Sequence, residues 1–233
     1  MNTDYSSIRV LAFDADDTLW DNQSWFDEAE RRYVEILAPF ADEQTVREGL
    51  YATETGNMPI LGYGTKAFTI SLMEYALEIG GSRLDAARMK AILEAGKSIF
   101  SLPCTPLPGV RETLVRLKGN ARVRLVLFTK GDPLDQRNKL ERSGLAPLFE
   151  HIEIDADKTE QEYLALCRKL DVRPEDFAMV GNSFKSDILP VLHTGGTGFY
   201  LPFKTMWAHE RAEECEHPRL VRLGAFSDLC AWF

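Results

Sequence analysis

Cysteine is scarce in this chain, and its four residues are widely scattered: Cys104, Cys167, Cys215 and Cys230. They form no CxxC pair and no Cys/His zinc spacing, so we expect reduced thiols that mainly pack. The chain also lacks an apolar segment long enough to span a membrane, and it does not start with the basic and apolar run of a signal peptide. These absences predict a cytoplasmic protein with no membrane partner.

Positive charge is in deficit as well, because 27 Lys and Arg stand against 36 Asp and Glu, a net charge of -9. A negative surface repels phosphate backbones and anionic lipids, so we expect neither nucleic acids nor membranes as partners. The local charge in a cleft can oppose this global sign, so an anionic small molecule stays compatible as a substrate. Nothing in the sequence sets the oligomeric state.

Short apolar runs alternate with amphipathic helical segments along most of the chain. The predicted strands are residues 8–13, 123–128, 151–154, 177–180 and 198–201. The predicted helices between the later strands are residues 110–117, 134–143, 160–170 and 187–192. Because such alternation indicates a parallel sheet covered on both faces, it predicts a doubly wound, Rossmann-like α/β fold. Ligands bind such sheets at the carboxyl ends of the strands.

A long helical stretch interrupts this alternation between the first and second strands. Apolar residues recur at helical spacing in residues 25–38, 67–79 and 84–99, and Gly, Asn and Pro in residues 56–64 predict a break between helices. So many helices cannot all lie on one crossover of a small sheet. The pattern therefore predicts an α/β core of residues 1–21 and 103–233 with an inserted helical cap, residues 22–102. Aromatic residues at its start (Trp20, Trp25 and Phe26) are expected to pack rather than to contact a substrate.

Three carboxylates follow directly on the first predicted strand, in the segment FDADDTL at residues 13–19. Clustered carboxylates repel one another and resist burial, and a hard cation at the strand end would offset both costs. Asp14, at the strand tip, can be the attacking carboxylate that forms an aspartyl-phosphate. Asp16 can protonate the leaving oxygen and later activate water. The alternative interpretation is an Asp-rich turn that caps a helix.

This segment resembles the first motif of the haloacid dehalogenase-like hydrolase superfamily, DxDxT after a hydrophobic strand. The resemblance implies three further elements at later strand ends. The first is FTKGD, residues 128–132. Here the Thr129 hydroxyl and the Lys130 amide would bind the phosphoryl group, and Gly131 would let the backbone come close. Taken alone, the same residues also suit a simple turn.

The second implied element is a lysine that neutralises the charge of Asp14 and of the phosphate. Its position after the third strand in the family points to Lys158, and Lys130 and Lys185 compete for a similar role. A lone lysine is otherwise a solvated charge.

The third implied element is a magnesium-binding loop, which matches VGNSFKSD at residues 180–187. Asp187 fits as a ligand, direct or through water, and it also fits a helix N-cap. Asn182 stands where an acid is usual, and its amide oxygen brings no charge to the ion. Asp14 and the main-chain carbonyl of Asp16 complete the ligands that the resemblance implies.

Asp16 favours phosphoryl transfer over dehalogenation, because an alcohol leaving group needs a proton and a halide does not. We therefore expect a magnesium-dependent phosphatase of a small phosphorylated metabolite, such as a nucleotide or a sugar phosphate. The segments FDADDT, CTPLPG and LERSGL are also similar to the branch that contains pyrimidine-nucleotide phosphatases. A haloacid dehalogenase or phosphomutase of the same fold, and a weakly catalytic phospho-ligand-binding protein, stay open as alternatives.

Overall fold

In a computed structural model the chain is described from residue 5 to residue 233, and it divides into two compact units. The first, the α/β unit, holds the chain up to Gln23 together with Cys104–Lys130 and Gln136–Phe233. The second, the helical unit, holds Ser24–Pro103 and Gly131–Asp135. Between residues 5 and 233, no helix combines the length and the apolar character needed to cross a bilayer.

A parallel sheet forms the centre of the α/β unit. Its strands are β1 Val10–Phe13, β2 Arg124–Lys130, β3 His151–Asp155, β4 Phe177–Gly181, β5 Thr197–Tyr200 and β6 Leu220–Arg222. Their order in the sheet is β3-β2-β1-β4-β5-β6, and every neighbouring pair is parallel. The prediction of a doubly wound α/β fold is therefore confirmed. The sequence did not predict β6, because a strand of three residues with one buried side chain shows no pattern.

The central strand β1 is buried along its whole length. Phe13, its last residue, pairs with Leu127 of β2 on one side and Val180 of β4 on the other. Such burial on both faces explains why the strand reads as a continuous apolar run. The loop that follows β1 is consequently flanked by the loops after β2 and β4, which is the arrangement that builds the site.

The described helices are α1 Gln23–Leu37, α2 Glu43–Leu61, α3 Thr65–Gly80, α4 Ala86–Ser98, α5 Val110–Lys118, α6 Pro133–Ser143, α7 Glu160–Lys169 and α8 Leu189–His193. A capping box starts α7, since Thr159 accepts from the Gln161 amide and the Glu162 side chain bonds back to the Thr159 amide. The helix expected at residues 187–192 instead begins at α8, after a π-helical turn, Phe184–Ile188. Pro190 suits the first turn of α8, where a helix lacks amide partners anyway.

The break between helices expected at residues 56–64 is present but shorter, at residues 62–64 between α2 and α3. No break occurs at Gly56, because α2 continues to Leu61 with Pro59 inside its last turn. A proline near a helix end removes one hydrogen bond without disturbing many others, so the helix tolerates it. The helix ends at Gly62, which has a φ of 70° and donates its amide to the Met58 carbonyl at 3.0 Å.

The aromatic residues at the start of the helical stretch have three different environments. Trp20 is fully buried in the α/β unit, as expected. Phe26 packs against Phe68, with ring centroids 5.1 Å apart. Trp25 is 38% exposed, so the expectation that it packs is wrong. Helical spacing identifies which residues share a face, and it does not show how far a face turns toward solvent.

Candidate active site

The residue after β1 stands at the centre of a polar cluster. Asp14 is buried and donates its amide to the Val180 carbonyl of β4 at 2.9 Å. One carboxylate oxygen, Oδ1, accepts from Lys158 Nζ at 2.5 Å. The same ammonium donates to Asp187 Oδ1 at 2.7 Å. One lysine that follows β3 therefore joins the residue after β1 to the loop after β4.

The three candidate lysines point to different partners. Lys158 is buried and bonded to Asp14, as the resemblance implied. Lys130 donates instead to Ser186 Oγ at 2.9 Å and forms an ion pair with Glu210. The ammonium of Lys185 donates to a main-chain carbonyl in the tail, at residue 209, at 2.8 Å.

The buried triad of Lys158, Asp14 and Asp187 has one positive charge for two carboxylates. Burial raises the pKa of Asp14, the ammonium of Lys158 opposes that rise, and Asp187 adds to it, so the value reaches about 7. Burial disfavours the ammonium of Lys158, yet the two carboxylates outweigh it and hold the pKa of Lys158 above its ordinary value. The surplus negative charge makes this pocket receptive to a cation.

Asp16 occupies a different environment from Asp14, although only one residue separates them. Its Oδ1 accepts from Trp20 Nε1 at 2.8 Å, and its Oδ2 accepts from Gln136 Nε2 and from Lys139 Nζ, both at 2.9 Å. Lys139 is buried and also donates to Asn22 Oδ1 at 2.9 Å. The carboxylate of Asp16 is thus held in one orientation by three donors.

The third carboxylate of the segment, Asp17, accepts hydrogen bonds from main-chain amides. Its Oδ1 accepts from the amides of Asn22 and Gln23 at 2.8 and 2.9 Å. Burial raises the pKa of Asp17 to about 7 in spite of these hydrogen bonds. The helix-cap interpretation therefore applies to Asp17 alone among the three carboxylates.

Sequence reasoning missed Gln136 and Lys139, which lie three residues apart on α6 and face the same way. Both are buried, although helix α6 is strongly polar. The available signal was that Gln136 and Lys139 stand at helical positions where an amphipathic helix usually has apolar residues. Gln136 also donates to the Lys130 carbonyl at 3.1 Å, which fixes the orientation of its amide.

The loop after β4 is tightly built around Asp187. Its Oδ2 accepts from the Ser183 amide at 2.9 Å, and a Cβ on Gly181 would lie only 2.1 Å from that oxygen. Only glycine therefore suits position 181. Ser183 caps the π-helical turn by accepting from the Ser186 amide at 3.0 Å. The N-cap interpretation of Asp187 is accordingly wrong, because Ser183 has that role.

The hydroxyl of Thr18 lies between the side chains of Asn182 and Asp14. Thr18 Oγ1 is 3.0 Å from Asn182 Oδ1 and 3.3 Å from Asp14 Oδ2. A hydroxyl has one proton to donate, so it serves one of these oxygens at a time. The main-chain N–H of Asn182 in turn donates to Thr18 Oγ1 at 3.1 Å.

The phosphate-binding residues expected after β2 lie at the strand end and just beyond it. Thr129 is buried, one residue before the end of β2. Lys130 is the last residue of the strand, and its side chain forms the ion pair with Glu210. Gly131 has a φ of 134°, which an L side chain rarely adopts, and its contacts group it with the helical unit.

The donor set suits magnesium rather than a softer metal. Asp14, Asp187 and Asn182 offer only oxygen atoms, the ligands that Mg²⁺ prefers, and the pocket carries surplus negative charge. Among the described residues no cluster of three or more His, Cys, Asp or Glu side chains could hold a metal by itself. A magnesium ion would therefore need the side-chain oxygen of Asn182, or a main-chain carbonyl oxygen, in addition to the two carboxylates.

A doubly wound sheet with a buried charged cluster at its carboxyl edge is typical of α/β enzymes, which bind their ligands at the strand ends. Residues 8–191 match the haloacid dehalogenase-like hydrolase family, and the chain belongs to that family.

Two curated relatives extend over most of the chain. The glyceraldehyde 3-phosphate phosphatase of Pyrococcus furiosus is 28% identical over 219 residues, 86% of this chain and 80% of the relative. The pyrimidine 5'-nucleotidase YjjG of Escherichia coli is 28% identical over 213 residues, 87% of this chain and 88% of the relative. Among solved structures, a haloacid dehalogenase-like family hydrolase from Xanthomonas campestris is 36% identical, with a TM-score of 0.87, and the match covers 97% of this chain and 90% of that one.

Proposed function

We propose that the protein is a magnesium-dependent phosphatase that hydrolyses a small phosphate monoester through an aspartyl-phosphate on Asp14. Family membership and the phosphatase names of its relatives support a phosphohydrolase. The observation that carries the proposal is the separation of two carboxylates at one strand end. Asp14 lies against Lys158, while Asp16 is held by three other donors.

In the first half of the reaction, an oxygen of Asp14 forms a bond to phosphorus and the bond to the leaving oxygen breaks. The Asp16 carboxyl gives its proton to that leaving oxygen. Lys158 neutralises charge on Asp14 and on the phosphoryl oxygens, and the Thr129 hydroxyl with the amides of Lys130 and Gly131 would bind those oxygens.

In the second half, a water oxygen attacks the phosphorus and the bond to Asp14 breaks. The Asp16 carboxylate takes the proton of that water, which returns both residues to their starting states. Asp14, Asp187, Asn182 and the Asp16 main-chain carbonyl would hold Mg²⁺, which supplies positive charge to phosphoryl oxygens when bound.

Asp16 also separates this proposal from the dehalogenase alternative, because a halide needs no proton to leave. The three donors around Asp16 hold a carboxyl that dehalogenation would not use. We assign the substrate to the small phosphorylated metabolites, in line with relatives named for glyceraldehyde 3-phosphate, pyrimidine nucleotides and phosphorylated carbohydrates.

We further propose that residues 22–102, which the sequence predicted as an inserted helical cap, select the substrate. The helical unit, Ser24–Pro103 with Gly131–Asp135, is the part of the fold that carries that segment. We also place the enzyme in the cytoplasm, because the buried cysteines Cys104 and Cys167 are thiols rather than disulfides, which is usual in a reducing compartment.

A screen of phosphorylated metabolites with Mg²⁺ tests the proposal, with wild type compared to Asp14→Asn. We expect turnover of at least one monoester, its loss on chelation of the metal, and a loss of at least about a thousandfold in Asp14→Asn, since the nucleophile is gone. Circular dichroism checks that the variant folds. No turnover across the panel, or full activity in Asp14→Asn, would overturn the proposal.

A further inference from the structure

A further cluster of charged side chains lies at the same edge of the sheet, and the proposed chemistry does not use these side chains. The ammonium of Lys130 is paired with Glu210 Oε1 and donates to Ser186 Oγ at 2.9 Å. Glu210 Oε2 accepts from the Ser183 hydroxyl and from Ser186 Oγ, the latter at 2.7 Å. We refer to Lys130, Ser183, Ser186 and Glu210 as the Glu210 cluster.

The side chain of Glu210 is largely removed from water, and its surroundings favour the ionised carboxylate. Its side chain is 12% exposed and that of Lys130 is 16% exposed, so both charges are largely removed from water. Burial opposes ionisation of Glu210, but Lys130 and the two serine hydroxyls outweigh it and hold its pKa below the ordinary value. An ion pair in such surroundings holds its geometry more firmly than one on the surface.

The Glu210 cluster joins the two loops that flank the end of β1. Lys130 is the last residue of β2, and Ser183 and Ser186 belong to the loop after β4. Because β2 and β4 are the two neighbours of β1 in the sheet, the Glu210 cluster connects the segments on either side of Asp14. Glu210 comes from the tail after β5, 80 residues from Lys130 in sequence.

Through Ser183 the cluster reaches the proposed metal ligand Asp187. The Ser183 hydroxyl donates to Glu210, so its oxygen is turned to accept from the Ser186 amide. The Ser183 amide donates to Asp187 Oδ2, and its carbonyl accepts from the Asp187 amide, both at 2.9 Å. Ser183 is therefore the residue through which Glu210 fixes the position of the Asp187 carboxylate.

We propose that Glu210 is a positioning residue of the phosphatase site, which holds Lys130 and the loop of Asp187 at a set separation across the end of β1. The proposal rests on the function proposed above and adds a residue that the family motifs do not include. Glu210 touches no reacting atom in this scheme. It acts through Lys130, whose amide would bind phosphate, and through Ser183.

The test compares Glu210→Gln, Lys130→Met and the double variant with wild type, using the best monoester from the screen. Glutamine keeps the shape of Glu210 and removes its charge, so Lys130 loses its counter-ion. We expect kcat to fall about tenfold in Glu210→Gln with little change in KM, because displacement of the reacting groups slows the chemical step. If Glu210 acts through Lys130, the double variant loses much less than the product of the two single losses.

Glu213→Gln is the matched control, since Glu213 lies on the same tail and is exposed. It should keep the wild-type kcat. Wild-type kcat in Glu210→Gln would overturn the proposal, and so would fully multiplicative losses in the double variant, because Glu210 would then act independently of Lys130.

Hydrogen exchange of the Ser186 and Asp187 amides, followed by mass spectrometry, gives a readout that does not depend on turnover. Exchange in Glu210→Gln should be at least about tenfold faster than in wild type and Glu213→Gln, because a local restraint is lost. Unchanged exchange would overturn the positioning role even in an active enzyme. If wild type hydrolyses no monoester, the proposed function fails, and faster exchange would still support the structural role of Glu210 across β1.

Discussion

The α/β unit and the helical unit differ in whether they bury ion pairs. In the α/β unit the ion pairs of Lys158, Lys139 and Lys130 are buried at one edge of the sheet. In the helical unit the pairs lie on the surface, and several join residues three or four apart on one helix.

A buried pair must offset a large cost of desolvation, and breaking it leaves a stranded charge. An exposed pair gains little, because water and salt screen it. The costly ion pairs are therefore concentrated at the carboxyl edge of the sheet, while the ion pairs of the helical unit each contribute little. Substitutions that break each kind of pair turn this contrast into measurements.

The largest effect is expected from Lys158→Met, because it leaves Asp14 and Asp187 buried without their shared cation. The variant should lose turnover and about 3–5 kcal/mol of the free energy of unfolding. Urea denaturation measures the second quantity. Lys169→Met is the control, since the Lys169 side chain is 55% exposed in its pair with Glu153. Equal stability of the two variants would contradict the contrast between buried and exposed pairs.

The next effect concerns Lys139→Met, which removes the buried cation beside Asp16. We expect kcat to fall by roughly ten- to a hundredfold, since Asp16 loses its fixed orientation. Stability should fall by about 1–3 kcal/mol, because the oxygens of Asp16 and Asn22 lose a donor. Arg137→Met, on the exposed face of the same helix, is the control. A loss of stability with unchanged kcat would show that Lys139 only supports the fold.

A smaller effect of opposite sign is expected in the helical unit at Glu54. Burial, and then the neighbouring Glu30, raise the pKa of Glu54 to about 7 from its ordinary 4.5. Between these two values the folded state binds more protons than the unfolded state, so Glu54 lowers the free energy of unfolding as the pH rises. The penalty is complete above pH 7, because the carboxyl is then charged in both states.

Glu54→Gln should therefore leave stability nearly unchanged at pH 4.5 and raise it at pH 8. The gain expected is about 1–2 kcal/mol, less than the full shift implies, because the side chain is only partly buried. Thermal unfolding across this pH range measures it. Glu78→Gln, exposed on α3, should show no such trend. A gain that does not grow with pH would contradict the assignment to Glu54.

The smallest effect is expected from Arg31→Ala, which removes exposed ion pairs with Glu28 and Glu35 on α1. Its unfolding midpoint should not be separable from that of wild type at physiological salt, since water and ions already screen these charges. A clear loss of stability would mean that the surface pairs of the helical unit form a supporting network.

The positions of five strands along the chain and the polar residues at their ends could be predicted from local pattern. The runs before Asp14 and Thr129 have the apolar composition of buried strands, so their ends could be located. The ends of the helices in the helical unit were harder to predict, as α2 shows by continuing through Pro59. A proline is tolerated when it lies within the last turn of a helix. The composition of the segment does not show where that last turn lies.

The chain's sequence by itself determined the doubly wound fold, its membership in the haloacid dehalogenase-like hydrolase family, and a segment in which three acids follow a buried strand. Only the tertiary structure decided which groups each acid contacts. Lys158 reaches Asp14, Gln136 and Lys139 reach Asp16, and main-chain amides reach Asp17. Glu210 likewise meets Lys130 only after 80 residues of intervening chain have folded. Local pattern shows where strands end, but the partners of a buried charge come from distant segments that the sheet order brings together.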